Sequence, residues 1–495
     1  MHASPARRIT GSALALGLGA AMISAQTCDY RPSQREVVLS TDFTQIQPFA
    51  CPPFNVTGGV FVFRDIDIAD GVTVRGVGTR PMIWVATGDV RIDGTLCVDG
   101  TPGERVTTLA SANFPSAGGV GGAAGGRGGN GSPSASGPSM RGQFGQGPMI
   151  GINLGGHGGR MSCSASCGRA SGGGGGAYTT AGDPHYPLPA ALLPAFAQRE
   201  GIGGYGCIGS SGAGSRRLPG GNAGVLAFAD SRLDNDFFGV GLNVFRQELV
   251  QGELLMPLGG AGGGGGGDAS IECGPNPRWL LDAKGGGGGG GGGILIIVAA
   301  GKIEIGETGS VTANGGNGGG GEQAGSNNKG GGGGGGSGGM VVLYSLDEVL
   351  LHTHGETFAN GDFDFAVAAD GGIGEQGIFG GSPFEQKYPP PAAGSGQIDA
   401  NPSGGFGGMG LVQIMTRPGM NADGTNTILD DNITILHQGI PLAAQEKERF
   451  LAWRGVQDEA LGFIDDFGQP TYAASPATEA NEGDIRPAPI LLPIL

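Results

Sequence analysis

His352 and His354 stand on either side of Thr353. On a strand, residues i and i+2 share a face, so both imidazoles could reach one transition metal. A structural zinc takes four ligands, however, and no third donor lies close in the sequence. A solvent-facing histidine pair is therefore the expected outcome. Asp423, Asp430 and Asp431 offer oxygen donors of the kind calcium prefers, all from one loop region. Residues Asp65 to Gly71 open like a calcium loop, but Ala69 takes the third acidic position and the bidentate closing glutamate is missing. Strand alternation accounts for this stretch better, with Ile66 and Ile68 inward and Asp65 and Asp67 toward water.

Asp67, Asp89, Asp93 and Asp99 recur over a short stretch. Stacked on successive rungs of a β-helix, two of them could serve as acid and base in a polysaccharide-cleaving enzyme. Aspartate in a turn ordinarily accepts hydrogen bonds from nearby backbone instead. With Lys+Arg 28 against Asp+Glu 44, the chain also has few cations to hold a polyanionic substrate. Turn chemistry is the expectation, and no catalytic residue is assigned. The glycine runs lack the Lys-Ser/Thr ending of a phosphate loop, and no serine sits in a Gly-x-Ser-x-Gly elbow between a strand and a helix.

The seven cysteines are Cys28, Cys51, Cys97, Cys163, Cys167, Cys207 and Cys273. Proximity makes Cys28 with Cys51, and Cys163 with Cys167, the candidate disulfides, although spacing alone does not fix connectivity. No second Cys pair follows Cys163 and Cys167 at zinc-site spacing. The first residues run from Arg7 and Arg8 through an apolar stretch at Ala13 to Ile23 and into small residues. That is the order of a secretory signal peptide, expected to be cleaved after Ala25, and no other apolar run is long enough to span a membrane. Export would permit disulfides. The formal charge of -16 and the scattered basic residues argue against a nucleic-acid partner.

Glycine, at 109 of 495 residues, is about three times its usual share. The elements that must position any site are hidden among these glycines. Gly293 to Gly315 and Gly339 to Gly361 align without a gap at an offset of 46 residues. Pro81 to Gly100 fits the same pattern when Gly88 is set on Gly301 and two residues are dropped in a turn. Gly59 to Gly76 shares the layout, and weaker starts follow Gly224 and Gly410. Each unit holds an apolar β-branched run, a turn, an alternating stretch such as Ile303-Glu304-Ile305, another turn and a short third strand. Three short strands per repeat predict one coil of a parallel β-solenoid, and the continuous runs Ile294 to Val298 and Val341 to Tyr344 predict strands covered on both faces. The rival is an antiparallel sandwich.

The strands are entered from glycine tracts, including nine consecutive glycines at Gly285 to Gly293. An ordered tract must be densely hydrogen-bonded, as in a bundle of extended polyglycine II helices too crowded for side chains; a flexible loop is the alternative. The predicted organisation is a signal peptide over 1–25, a lead-in or cap over 26–58 and a glycine-rich solenoid over 59–441 with a long insertion at 101–223. A short C-terminal helix over 442–455 and a proline- and acid-rich tail over 456–495 follow.

Glycine tracts alternating with solenoid strands, and a closing segment from Asp423 to Gly455, resemble exported bacterial glycine-rich repeat proteins of the planctomycete secreted type. The resemblance implies a cell-surface or extracellular role with no chemistry to carry over. The expected function is a structural or adhesive surface protein that self-associates or meets extracellular polymers. It is expected to need no cofactor other than, at most, calcium. A β-helix polysaccharide enzyme or carbohydrate-binding module is the second expectation, though aromatic residues are only 6% of the chain. An ice- or surface-binding protein is the third.

Overall fold

The fold is a computed structural model describing residues 28–106, 115–132, 141–148, 155–159, 172–178, 237–243, 248–270, 282–325, 328–352, 366–372 and 404–417 apart from 406. Short pieces at 162–163, 168–170, 419–420, 426–427, 432–437, 439–441, 485–486 and 490–493 complete it. Among the described residues the chain is all-β, with no helix. The expected signal peptide at 1–25, the helix at 442–455 and the strand after Gly224 lie outside them.

Three six-stranded sheets carry the fold. The first orders Val60–Phe63, Met82–Ala86, Ile294–Ala299, Met340–Ser345, Leu411–Thr416 and Ile490–Pro493. The second orders Ile66–Ile68, Val90–Ile92, Ile303–Ile305, Val349–His352, Ile433–His437 and Ile440–Pro441, and the third orders Glu36–Ser40, Thr73–Val77, Thr95–Cys97, Ser310–Thr312, Val367–Ala368 and Ile485–Arg486. All pairings within these sheets are parallel except that of Ile440–Pro441. From Val60 on, the strands of these three sheets visit the first, second and third in turn, apart from Ile440–Pro441, which follows Ile433–His437 in the second. This excludes the antiparallel sandwich.

Register follows the sequence repeat. Ile297 pairs with Leu343 and Ile305 with Leu351, at the 46-residue offset, and all four are fully buried. Val90 lies beside Ile303, whereas Thr95 lies beside Ser310, so the two residues dropped in the turn fall where the alignment put them. The third strand corrects the gapless alignment. Val311 pairs with Val367, not Thr357, because the later repeat carries ten extra residues between its second and third strands. A turn between rungs can absorb such an insertion without disturbing the ladders on either side.

Alternation sends Leu295, Ile297, Ile303, Ile305 and Val311 into one core with Phe61, Phe63, Trp84, Val341, Leu343 and Ile414. Ile294, Ile296, Met340 and Val342 point the other way and are buried beneath Tyr178, Phe237, Leu254 and Leu258. The continuous apolar runs are thus covered on both faces, each buried aliphatic side chain contributing about 1.5–3 kcal/mol. At the first rung Tyr30 donates to Asp65 and accepts from Asp67 through the backbone, and a disulfide joins Cys28 to Cys51.

Candidate functional site

The glycine tracts are ordered by their backbones. In the nine-glycine run, the N–H groups of Gly286, Gly289 and Gly292 donate to the carbonyls of Gly331, Gly334 and Ser337. Those of Gly287, Gly290 and Gly293 donate to Glu104, Thr101 and Val98, and those of Gly288 and Gly291 to Gly129 and Gly126, at lengths of 2.7 to 3.1 Å. The same partner returns every third residue, so the backbone turns by a third of a revolution per residue. The carbonyls of the run accept from Gly260, Gly263 and Gly266, from Gly119 and Gly122, and from Gly316 and Gly319. One extended segment is therefore bonded to six others.

Twelve such segments among the described residues form one lattice: 98–106, 116–122, 125–132, 142–147, 155–159, 172–177, 259–268, 285–293, 313–322, 330–339, 369–372 and 404–410. The segments 259–268 and 330–339 also have six bonded neighbours each. The described glycines of positive φ are Gly58, Gly59, Gly71, Gly78, Gly239 and Gly439, all outside the lattice. Close approach is what demands glycine here. A Cβ on Gly286, Gly289 or Gly290 would overlap the carbonyl oxygen of Gly319, Gly316 or Val120.

The lattice continues the sheets. Beyond the third sheet, Val98 and Gly100 donate to Thr312 and Asn314, and Ala313 and Gly315 donate to Ala368 and Asp370. Entering the first sheet, Met340 and Leu411 donate to Gly293 and Gly339. Segments 98–106, 313–322 and 369–372 leave the third sheet, and segments 285–293, 330–339 and 404–410 enter the first.

Charged side chains gather on the solvent face of the second sheet. Its central positions place Asp67 beside Arg91 and Arg91 beside Glu304, with Leu350 and Thr434 following. Lys302 Nζ donates to Glu304 Oε2 at 3.0 Å, Arg91 lies 3.9 Å from Glu304 Oε1, and His352 Nε2 lies 3.4 Å from the same oxygen. Burial alone would raise the Glu304 carboxyl, but the hydrogen bond and charge of Lys302, with Arg91 and His352, hold it below the usual carboxylate range. A carboxylate held ionised in this way is a poor general acid. Reading strand by strand missed this convergence; superposing the repeats places Glu304 on Arg91.

Asp65, Asp67, Asp89, Asp93 and Asp99 have structural partners. Asp65 Oδ1 accepts from the Asp89 N–H at 3.0 Å, and Asp89 Oδ1 accepts from Lys302 N–H at 2.9 Å. Asp99 Oδ1 accepts from Asn314 N–H at 2.6 Å, and Asn314 Oδ1 from Asp370 N–H at 2.8 Å. Within each set these are equivalent positions of successive rungs, so each side chain fastens the next rung. Burial raises the Asp99 carboxyl, while hydrogen bonds from Asn314 and Thr312 oppose the shift. Asp93 pairs with Arg91 at 2.7 Å, and Asp67, 42% exposed, lies 3.9 Å from Arg31. Of the metal candidates, His354, Asp423, Asp430 and Asp431 lie outside the described residues, as does Cys167. Cys163 sits in a two-residue strand. Among the described residues no three His, Cys, Asp or Glu side chains group to hold a metal, and no helix is long and apolar enough to cross a membrane. No protein family, curated protein or solved structure matches the chain.

Proposed function

We propose that this chain is an exported structural or adhesive protein of the cell surface, related to the glycine-rich repeat proteins it resembles. Its sheets are the faces of a parallel β-solenoid, and its glycine tracts form a polyglycine II slab fused to one side. The observation that carries this reading is the lattice, in which glycine after glycine serves as a hydrogen-bonded strut with no room for a side chain. Ordering a residue costs about 1–2 kcal/mol of backbone entropy, and such investment yields rigidity rather than a movable active site. Glu304, with Arg91 and His352 on the adjoining rungs, and the aspartates Asp65, Asp89 and Asp99 are engaged between rungs. The Cys28–Cys51 disulfide is consistent with an oxidising compartment.

The test is secretion and retention. Expressed in a secreting host, the chain should begin at Gln26, co-fractionate with the cell envelope or extracellular matrix, and release no new ends from acidic or neutral polysaccharides. Polysaccharide cleavage abolished by Asp67→Asn would establish the enzyme reading instead, and a retained Met1 would refute export.

A further inference from the structure

Three ionisable residues are buried where the glycine segments end: Asp268 is 0% exposed, and Lys284 and Glu322 are 2% exposed each. Register sets two of them face to face. Gly266 N–H donates to the Gly286 carbonyl, and Ala269 and Ser270 pair antiparallel with Ala283 and Asp282, so Asp268 stands directly opposite Lys284. Glu322 meets Lys284 on its other edge. The Glu322 N–H donates to the Lys284 carbonyl at 2.8 Å, and Glu322 Oε2 accepts from the Lys284 N–H at 3.0 Å. Because both backbone groups of Lys284 turn toward Glu322, the Asp268–Lys284 pair is of the non-hydrogen-bonded kind, in which opposed side chains lie closest. Their Cβ atoms are expected about 4.5–5.5 Å apart on one face, well within the reach of a lysine stem. Glycine backbone bounds the place, with Gly330 packed so tightly on the Lys284 carbonyl that a Cβ there would overlap it.

We propose that Lys284 and Asp268 are the site of an isopeptide cross-link, with Glu322 as the carrier of the proton. The trio holds two carboxyls for one amine, so a proton on the Asp268 carboxyl balances its charge and supplies a leaving hydroxyl. The Lys284 Nζ lone pair attacks Asp268 Cγ, forming the N–C bond. Glu322 takes the proton released from Nζ and returns it to the hydroxyl, the C–O bond breaks, and one water departs. No oxidant, reductant or cofactor enters the balance. A neutral amide then stands where two charges would otherwise bear the desolvation cost of burial. The link joins segments 259–268 and 285–293 covalently, whatever surface the protein meets, so failure of the adhesive reading leaves it untouched.

The experiment is a tryptic mass map of the full secreted chain, reduced, alkylated and denatured before digestion. Arg278 lies between the two residues, and Arg246 and Lys302 flank them. The cross-linked chain should therefore yield 247–278 joined to 279–302, lighter than their sum by one water and uncut after Lys284. Lys284→Arg keeps the positive charge and should release the two peptides separately. Glu322→Gln keeps an oxygen for the Lys284 N–H but carries no proton, and should leave most of the folded chain unlinked. Separate peptides from the folded wild-type chain, with cleavage after Lys284, would overturn the proposal. Full linkage in Glu322→Gln would overturn the role given to Glu322. The wild-type map decides the cross-link by itself, so a variant that fails to fold does not shield it.

Discussion

Glu304 and Asp99 show two carboxylates put to opposite electrostatic use. Glu304 is held below its ordinary range by Lys302, Arg91 and His352 against the pull of burial, so its ionised form stabilises the fold above that range. The contribution is lost as pH falls through the lowered folded value. Asp99 is raised by burial, so its contribution is full in acid and declines as pH rises through the raised folded value. Replacing Glu304 with Gln should cost at most about 1 kcal/mol at neutral pH and flatten the acid limb of stability, read from denaturation midpoints across pH. An unchanged acid limb would remove Glu304 from the account. Cys97 is buried, and burial followed by the charge of Asp99 pushes its thiol up to about 12. Peptide mapping after alkylation of the folded chain should find Cys97 unmodified, and modified once the chain is unfolded.

At the scale of elements, the 46-residue repeat made the first and second strands of successive rungs legible, because inward Ile and Val at a period of two specify register. Ile297→Asp or Ile305→Asp would bury an unpaired charge and should cost about 3–5 kcal/mol in unfolding free energy. Unchanged thermal unfolding of both would contradict the pairing with Leu343 and Leu351. The third strand was not legible past Val311, since an insertion ahead of Val367 leaves no mark in the ladders it separates. The neighbours of each glycine tract were equally hidden, because a residue without a side chain carries no code for its partner. The test of the tract as an element is Gly289→Ala. Overlap of the added methyl with the Gly316 carbonyl should destabilise by about 1–3 kcal/mol. In a flexible loop the same change would be neutral or slightly stabilising.

At the scale of the whole molecule, the nine glycines and the apolar strand that follows are one continuous structural element. The ladder that binds Ile294–Ala299 to its neighbours passes into the lattice at Gly293, so sheet and lattice share a single hydrogen-bond network. The long insertion expected at 101–223 supplies, in part or whole, six of the twelve lattice segments among the described residues, turning what reads as an interruption into much of the lattice. Of the aspartates that suggested chemistry, Asp65, Asp89 and Asp99 fasten rungs, because their carboxylates meet the backbone of the next rung. Residue-resolved hydrogen exchange tests this account most directly. Amides 286 to 293 should be protected to the same degree as those of Ile294–Ala299 and exchange with them in one cooperative opening. Exchange of the glycine amides at free-peptide rates beside a protected strand would contradict it.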